Sequence, residues 1–407
     1  MRILVDEAIW GADQLFHDLG EVRSFIGRTL RPADVADAQA MIVRSVTPVG
    51  PDLLADSQVR FVGSAVSGDD HLDLAWLGRR GITVATAAGC NTRTVAEYVL
   101  ASLLHLSERH GFSLPDKTLG IVGVGRIGSL VAQWCDALGV RTLLCDPIRA
   151  ATVRECRAML NSAPPLNSDE ALNTDQFLPI DEIFHRTDIV TLHVPLTREG
   201  PHATQGLVGG RLLSACKHGL FLINTARGEV LDEAALIAAR ITGRIAGAVI
   251  DVWRNEPRIS RALVKFAEIA TPHIAGYSAA ARRRGAEMIH RELARFCGQA
   301  SGAPVEPGAD SEVSSAVQRS AALPNGRGSD PRGSDRAEVR WEVLRERVRS
   351  LCDLESFDRL LRGGHAFDDM RRLAADRREF PQGPPVAGLS PIEAVIYETL
   401  GLGVGKG

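Results

Sequence analysis

Over its first 300 residues the chain repeats one arrangement. A short, continuous, β-branched apolar run is followed by a longer stretch with helical periodicity. The runs are ILVD (3–6), AMIVRS (40–45), FVGSAV (61–66), ITVAT (82–86), LGIVGVG (119–125), TLLCD (142–146), DIVTLHV (188–194), LFLINTA (220–226) and IAGAVIDV (245–252). A strand with one wet face alternates apolar and polar residues. These do not, so both of their faces are covered. Between them lie helix-compatible stretches such as 94–107, 127–138 and 232–242. Parallel strands need such crossovers, so the alternation predicts a doubly wound α/β architecture. The helix over 94–107 divides the strands into two groups. That predicts two Rossmann-like lobes around a cleft: 1–95 with 272–298, and 96–271.

Beyond Gln299 the texture changes. Residues 299–338 are dominated by Gly, Ala, Ser and Pro and carry RGSD twice. Such a stretch cannot bury a core and reads as a flexible linker. Helix-compatible, strongly charged sequence resumes in 339–362 and 367–380, and SPIEAVIYETLG carries a capping pattern at Ser390, Pro391 and Glu393. With so little apolar content, this tail needs another surface to pack on, and a twofold partner is the commonest solution. Residues 161–176 read as a surface loop.

Composition excludes several classes. The 407 residues carry a net charge of −3, so no charge bias points to nucleic acid or an anionic membrane. The N-terminus meets Asp6 and Glu7 too early for a secretory core, and no apolar run reaches membrane length. Seven scattered cysteines without a C-x-x-C pair fit thiols of a reducing cytoplasm better than a disulfide framework or a metal site.

The chemistry is concentrated after the strands. GIVGVGRIG supplies G-x-G-x-x-G at Gly123, Gly125 and Gly128, with Arg126 and Ile127 opening the following helix. With 39 glycines in the chain, chance alone gives such a pattern about 0.4 times, so the spacing by itself is weak. Its context is stronger: it leaves an apolar strand, opens a helix, and precedes a second strand ending in Asp146. Glycines there permit a tight turn and close approach of a pyrophosphate, and Asp146 would accept from a ribose hydroxyl, favouring NAD over NADP. Arg149 softens that preference.

Three further residues follow strands: Arg227 in INTARGEVLD, Glu256 in IDVWRNEP and His273 in TPHIAGY. Alone, each has a bland reading, His273 as a satisfied core histidine above all. Ligands of open α/β sheets bind beyond the carboxyl ends of the strands, so all three are candidates for one crevice. A histidine suits removal of a hydroxyl proton, a carboxylate orients it, and an arginine offers a fork for a substrate carboxylate.

The segments GCNTRTVAEYVL, GIVGVGRIG, TLHVPLT, LINTARGEVLDE, AGAVIDVWRNEP and TPHIAG together resemble the D-isomer-specific 2-hydroxyacid dehydrogenases over roughly residues 40–290. The resemblance implies NAD as cofactor, Arg227 on the substrate carboxylate, Glu256 as carboxylate partner and His273 as acid/base. MRILVDEAIW, AMIVRSVTPV, GDDHLD, TLLCDPIRA, HIAGY and FDDMRRLAADRREF are similar to one branch of that family, which uses a small phosphorylated 2-hydroxy acid. That likeness implies a homodimer built through a small C-terminal α+β module in 339–407. It also implies Ser45 and Tyr277 at the substrate, and Asp146, Asp251 and Gly276 near the cofactor. The chain departs from the branch at Val66, where a threonine lines the substrate site, and at Val194. Valine donates no hydrogen bond, so Ser67 and Arg44 join Ser45 and Tyr277 as candidates for phosphate recognition. A relative acting on 3-phosphoglycerate or glyoxylate, and an NADH-sensing binding protein on the same fold, are the rival readings.

Overall fold

The computed structural model describes residues 1–149, 177–298, 341–375, 377 and 379. The expected loop at 161–176, the linker at 299–338 and the Ser390 capping pattern lie outside the described residues. The chain divides into two compact units, with changeovers at Thr94/Val95, Ala275/Gly276 and Ala374/Ala375.

The first unit opens with β1 (Arg2–Asp6), β2 (Glu21–Phe25), β3 (Ala40–Val43), β4 (Phe61–Ser64) and β5 (Thr83–Thr86). Short helices α1 (Pro32–Val35), α2 (Pro51–Leu54) and α3 (Leu74–Arg79) connect the later strands. All five strands are parallel, in the order β2-β1-β3-β4-β5. The chain therefore reverses direction across the sheet between β1 and β3, the topological switch point. β3 is buried along its whole length, as its AMIV run requires. β2 was not legible: EVRSF is polar and lies at the sheet edge, where only one neighbour has to be satisfied.

Helix α4 (Thr92–His110) begins in the first unit and continues in the second, so the division falls within its first turn. The second unit holds β6 (Thr118–Val122), α5 (Arg126–Ala137), β7 (Arg141–Cys145), α6 (Ile180–Arg186), β8 (Ile189–Leu192), α7 (Gly210–Ala215), β9 (Leu220–Asn224), α8 (Glu233–Ile241), β10 (Ile245–Ile250), α9 (Arg261–Phe266) and β11 (Ile269–Ala270). Its sheet is also all parallel, in the order β11-β10-β9-β8-β6-β7. The order reverses between β6 and β8, the dinucleotide-binding arrangement. Strand ends are trimmed relative to the sequence reading; the run 119–125 leaves the sheet after Val122, where the glycine turn begins.

The chain then returns to the first unit as α10 (Ala279–Phe296), capped by Ser278, whose hydroxyl accepts from the Ala281 N–H at 3.0 Å. Ala286, Ile289 and Leu293 of α10 enter the core with Ile3, Ile42 and Phe61. Residues 272–275 group with the second unit, not with the substrate lobe as the sequence reading had it. The cause is local: the His273 N–H bonds to the Asp251 carbonyl at 2.7 Å, tying the turn to the end of β10.

Three helices follow in the tail: α11 (Trp341–Leu351), α12 (Leu354–Arg362) and α13 (Phe367–Ala374). The described tail is helical, with none of the expected strand. Leu361, Phe367 and Met370 share one core with Trp253, Ala267 and Ala270 of the second unit. Asp358 accepts from the Ala270 N–H at 2.8 Å, and Arg362 donates to the carbonyls of Val264 and Ala267. The tail does need another surface, and here its own chain provides one.

Candidate functional site

In the second unit, β9 ends at Asn224, which is fully buried. Its Oδ1 accepts from the Ala226 N–H at 3.1 Å and its Nδ2 donates to the Arg227 carbonyl at 3.2 Å, so one side chain fixes the turn that presents Arg227. The next residue must be Gly228: a Cβ there would stand 2.0 Å from the Trp253 carbonyl carbon. The Arg227 turn thus lies directly on the turn that leads to Glu256. Sequence reasoning missed Asn224, although its place between a strand and the arginine was a signal.

Glu256 and His273 meet. His273 Nδ1 stands 2.8 Å from Glu256 Oε2, while Glu256 Oε1 accepts from the Trp253 N–H at 2.9 Å. Both side chains are partly open, 30% for His273 and 20% for Glu256. Burial pulls the Glu256 carboxyl upward, but the His273 imidazole, their hydrogen bond, the Trp253 N–H and the Arg371 guanidinium outweigh it. The net effect holds the carboxyl below the ordinary carboxylate range. With Nδ1–H directed at a carboxylate, the tautomer leaves a lone pair on Nε2.

His273 is held in the left-handed region at φ 57°. The amides of Ile274 and Ala275 both donate to the Asp251 carboxylate, at 2.8 and 2.9 Å, and Thr271 Oγ1 adds a third bond at 2.7 Å. Because the Thr271 hydroxyl proton goes to Asp251, Tyr98 donates its own to Thr271 Oγ1, at 2.5 Å. The Trp253 indole N–H closes the arrangement on the Thr271 carbonyl at 2.8 Å. Asp251 is fully buried, and burial pushes its carboxyl up against the pull of His273 and these donors. Asp251, a candidate for the cofactor's surroundings, braces the turn that carries His273. Contacts of this kind join residues up to 173 positions apart, and nothing local in the sequence announces them.

The glycine turn after β6 fits a dinucleotide. Gly123 has φ 90°, and a Cβ there would meet the His193 backbone at 2.7 Å, so the turn lies tight against the strand across the switch point. Gly128 packs on the Gly123 carbonyl, whereas a Cβ on Gly125 would meet nothing within 4 Å. Space is therefore left at the start of α5, beside exposed Gly125 and Arg126 and half-buried Ile127, with no side chain capping the helix. Asp146, half-buried at the end of β7, accepts from the Val124 N–H at 3.0 Å and the Arg149 N–H at 3.0 Å. Each oxygen retains a second lone pair for a ribose hydroxyl. Arg149 Nη1 lies on the Val124 carbonyl at 2.5 Å and on Ser129 Oγ at 2.6 Å. His193 sits between the hydroxyls of Thr191 and Thr225, and burial pushes its pKa down to about 3, so it is neutral at physiological pH.

The remaining candidates are in the first unit. Arg44 follows β3 and Asp6 ends β1, the two strands at the switch point. Arg44 Nε stands 3.0 Å from Asp6 Oδ1, and its Nη1 donates to Tyr277 Oη at 3.3 Å. Burial opposes the charge on Arg44, but Tyr277 and Asp6 outweigh it and keep the guanidinium protonated. Ser45 is exposed beside this group. Ser67 Oγ accepts from the Gly89 N–H at 3.1 Å, so part of its capacity is already used within the loop. Gly276 is set against Asn91, where a Cβ would come within 2.3 Å of the amide.

Comparison with known proteins fits this geometry. Residues 91–275 match the family model described as D-isomer specific 2-hydroxyacid dehydrogenase, NAD binding domain. The chain is 43% identical over 298 residues to erythronate-4-phosphate dehydrogenase of Escherichia coli, covering 73% of this chain and 74% of that one. The same figures hold for the enzyme of that name from Escherichia fergusonii. Among solved structures, D-lactate dehydrogenase of Aquifex aeolicus complexed with NAD and lactic acid has a TM-score of 0.58. It is 22% identical, covers 74% of this chain and 96% of its own, and supports the fold alone. NADPH-dependent glyoxylate/hydroxypyruvate reductase of Sinorhizobium meliloti, in complex with citrate, has a TM-score of 0.58 at 25% identity, with 75% and 98% coverage. A family-model match over residues 91–275 and 43% identity over most of both chains place the geometry in one lineage: this chain belongs to the D-isomer-specific 2-hydroxyacid dehydrogenase family.

Proposed function

We propose that the protein oxidises the C2 hydroxyl of 4-phospho-D-erythronate to 2-oxo-3-hydroxy-4-phosphobutanoate, a step of pyridoxal phosphate biosynthesis. The observation that carries the reaction type is the 2.8 Å contact between Glu256 and His273, which leaves Nε2 free to act. His273 Nε2 takes the hydroxyl proton, and Glu256 stabilises the imidazolium so formed. Arg227 forks the substrate carboxylate and draws charge from the carbonyl as it develops. The Gly123–Gly128 turn and Asp146 would hold NAD, which would supply the two-electron acceptor for the hydride at C2 and so balance the oxidation.

The relatives at 43% identity carry the erythronate-4-phosphate dehydrogenase name, which supports this substrate. Arg44 at the first unit's switch point supports a phosphorylated one. A guanidinium shared between Asp6 and Tyr277 is preorganised for an anion, with Ser45 and Ser67 as added donors. Arg44→Ala is expected to raise KM for 4-phosphoerythronate by about tenfold or more while leaving any unphosphorylated 2-hydroxy acid nearly unchanged. Equal losses on both substrates would remove Arg44 from phosphate recognition.

We also infer a homodimer in the cytoplasm. The six described cysteines are all free thiols, in keeping with a reducing compartment. Light scattering on the full chain tests the dimer: a mass of twice the chain is expected, and a monomer at micromolar concentration would rule it out.

A further inference from the structure

We propose that His71, from the GDDHLD stretch, is a positioning residue for substrate specificity: its ring and its backbone clamp together the two loops of the first unit that carry Arg44, Ser45 and Ser67. The inference rests on the reading of those three residues as phosphate contacts, and adds the residue that sets their spacing. β3 and β4 lie side by side and run in register to Val43 and Ser64, where both leave the sheet. One loop, 44–49, opens with Arg44 and Ser45; the other, 65–71, holds Val66 and Ser67. Backbone of this kind has no ladder to fix it, so the places of its donors depend on a few individual bonds.

His71 bonds to both. Its Nε2 stands 3.1 Å from Oγ of fully buried Ser64, at the root of the second loop. A ring nitrogen and a serine hydroxyl suit one another in either tautomer, since the hydroxyl can donate or accept. The His71 carbonyl accepts from the Val49 N–H at 2.7 Å, at the end of the first loop. Val49 in turn accepts from the Asp73 N–H at 2.8 Å, and Leu72 shares one core with Val43 and Val49. Two further bonds carry the clamp to the candidate donors. The Ala65 N–H donates to the Val43 carbonyl at 3.0 Å, directly before Arg44, and the Gly89 N–H holds Ser67 Oγ at 3.1 Å. At the far corner of the second loop Asp69 and Asp70 are both exposed. A loop released from its root lets those carboxylates drift toward a bound phosphate and repel it. The clamp therefore bears on the phosphorylated end of a substrate, whereas the candidate groups for the reacting end, Arg227, Glu256 and His273, belong to the second unit.

The test uses the full chain with Ser64→Ala, which removes one oxygen, His71→Leu, which removes the ring nitrogens, and the double variant. His71→Gln keeps a polar atom near the place of Nε2. NADH formation is measured with 4-phospho-D-erythronate and with unphosphorylated D-erythronate. Ser64→Ala and His71→Leu are each expected to raise KM for the phosphorylated acid by about fivefold, with its kcat and the kcat/KM for D-erythronate within about twofold. The double variant should be no worse than the more impaired single one, because both remove the same bond, and His71→Gln should recover most of the loss. Hydrogen exchange, which needs no substrate, should quicken at the Val49 and Gly89 amides in Ser64→Ala. Should His71→Leu fail to fold, Ser64→Ala decides. An unmoved preference between the two acids in Ser64→Ala overturns the proposal, even where exchange quickens, and so do additive losses in the double variant. Failure of the substrate reading looks different: the unaltered protein would then use D-erythronate as well as its phosphorylated form, and the inference would fall with that reading.

Discussion

Three residues define His273 separately. Glu256 fixes its tautomer, Asp251 fixes its backbone, and Trp253 ties the two turns together. His273→Asn should therefore abolish turnover while NADH still binds by fluorescence; retention of more than about a tenth of the activity would sink the proton-transfer role. Glu256→Gln should be milder. It removes the charge that stabilises the imidazolium, so the acid limb of kcat/KM should move to lower pH. The same carboxylate has a stability signature. Its native pKa lies below the ordinary range, so its contribution is present above the unfolded value and lost as pH falls through the native one. Acid unfolding of Glu256→Gln should accordingly start from a lower stability at neutral pH and fall less steeply. At the cofactor, Asp146→Ala should narrow the preference for NAD over NADP, because it removes a ribose acceptor and leaves Arg149 beside the turn. Comparable use of both cofactors by the unmodified protein would contradict that reading.

At the scale of elements, most of the scaffold was legible because buried parallel strands leave so clear a trace. AMIV at 40–43 and LFLI at 220–223 are apolar throughout, and both lie in central strands. What escaped were elements with few neighbours or few residues: polar β2 at one sheet edge and two-residue β11 at the other. Arg227, Glu256 and His273 were legible from their places after strands and from family resemblance. The brace behind them was not, since Asp251, Thr271 and Tyr98 become partners only after folding. Thr271→Val tests that brace. It removes a hydrogen bond to a buried carboxylate together with the Tyr98 contact at Thr271 Oγ1, and should cost about 2 kcal/mol in denaturant unfolding. A loss below about 0.5 kcal/mol would mean that the turn holds itself.

For the molecule as a whole, each sheet carries candidate binding residues at its own reversal of strand order. In one unit that is Arg44 beside Asp6; in the other it is the Gly123 turn against His193. The tail helices were legible as helices, but their seat on α9 and β11 was not, because charged amphipathic sequence does not name its partner. Their removal would uncover Ala267, Ala270 and Trp253, so truncation should cost solubility and stability as well as any dimer. Point variants are the cleaner probe. The substrate is identified by the rate of NADH formation with a panel of acids. The panel is 4-phospho-D-erythronate, 3-phosphoglycerate, glycerate and lactate. We expect kcat/KM for 4-phospho-D-erythronate to exceed every other by at least about tenfold. Turnover of the unphosphorylated acids as fast or faster would contradict the account and leave only the wider dehydrogenase family standing.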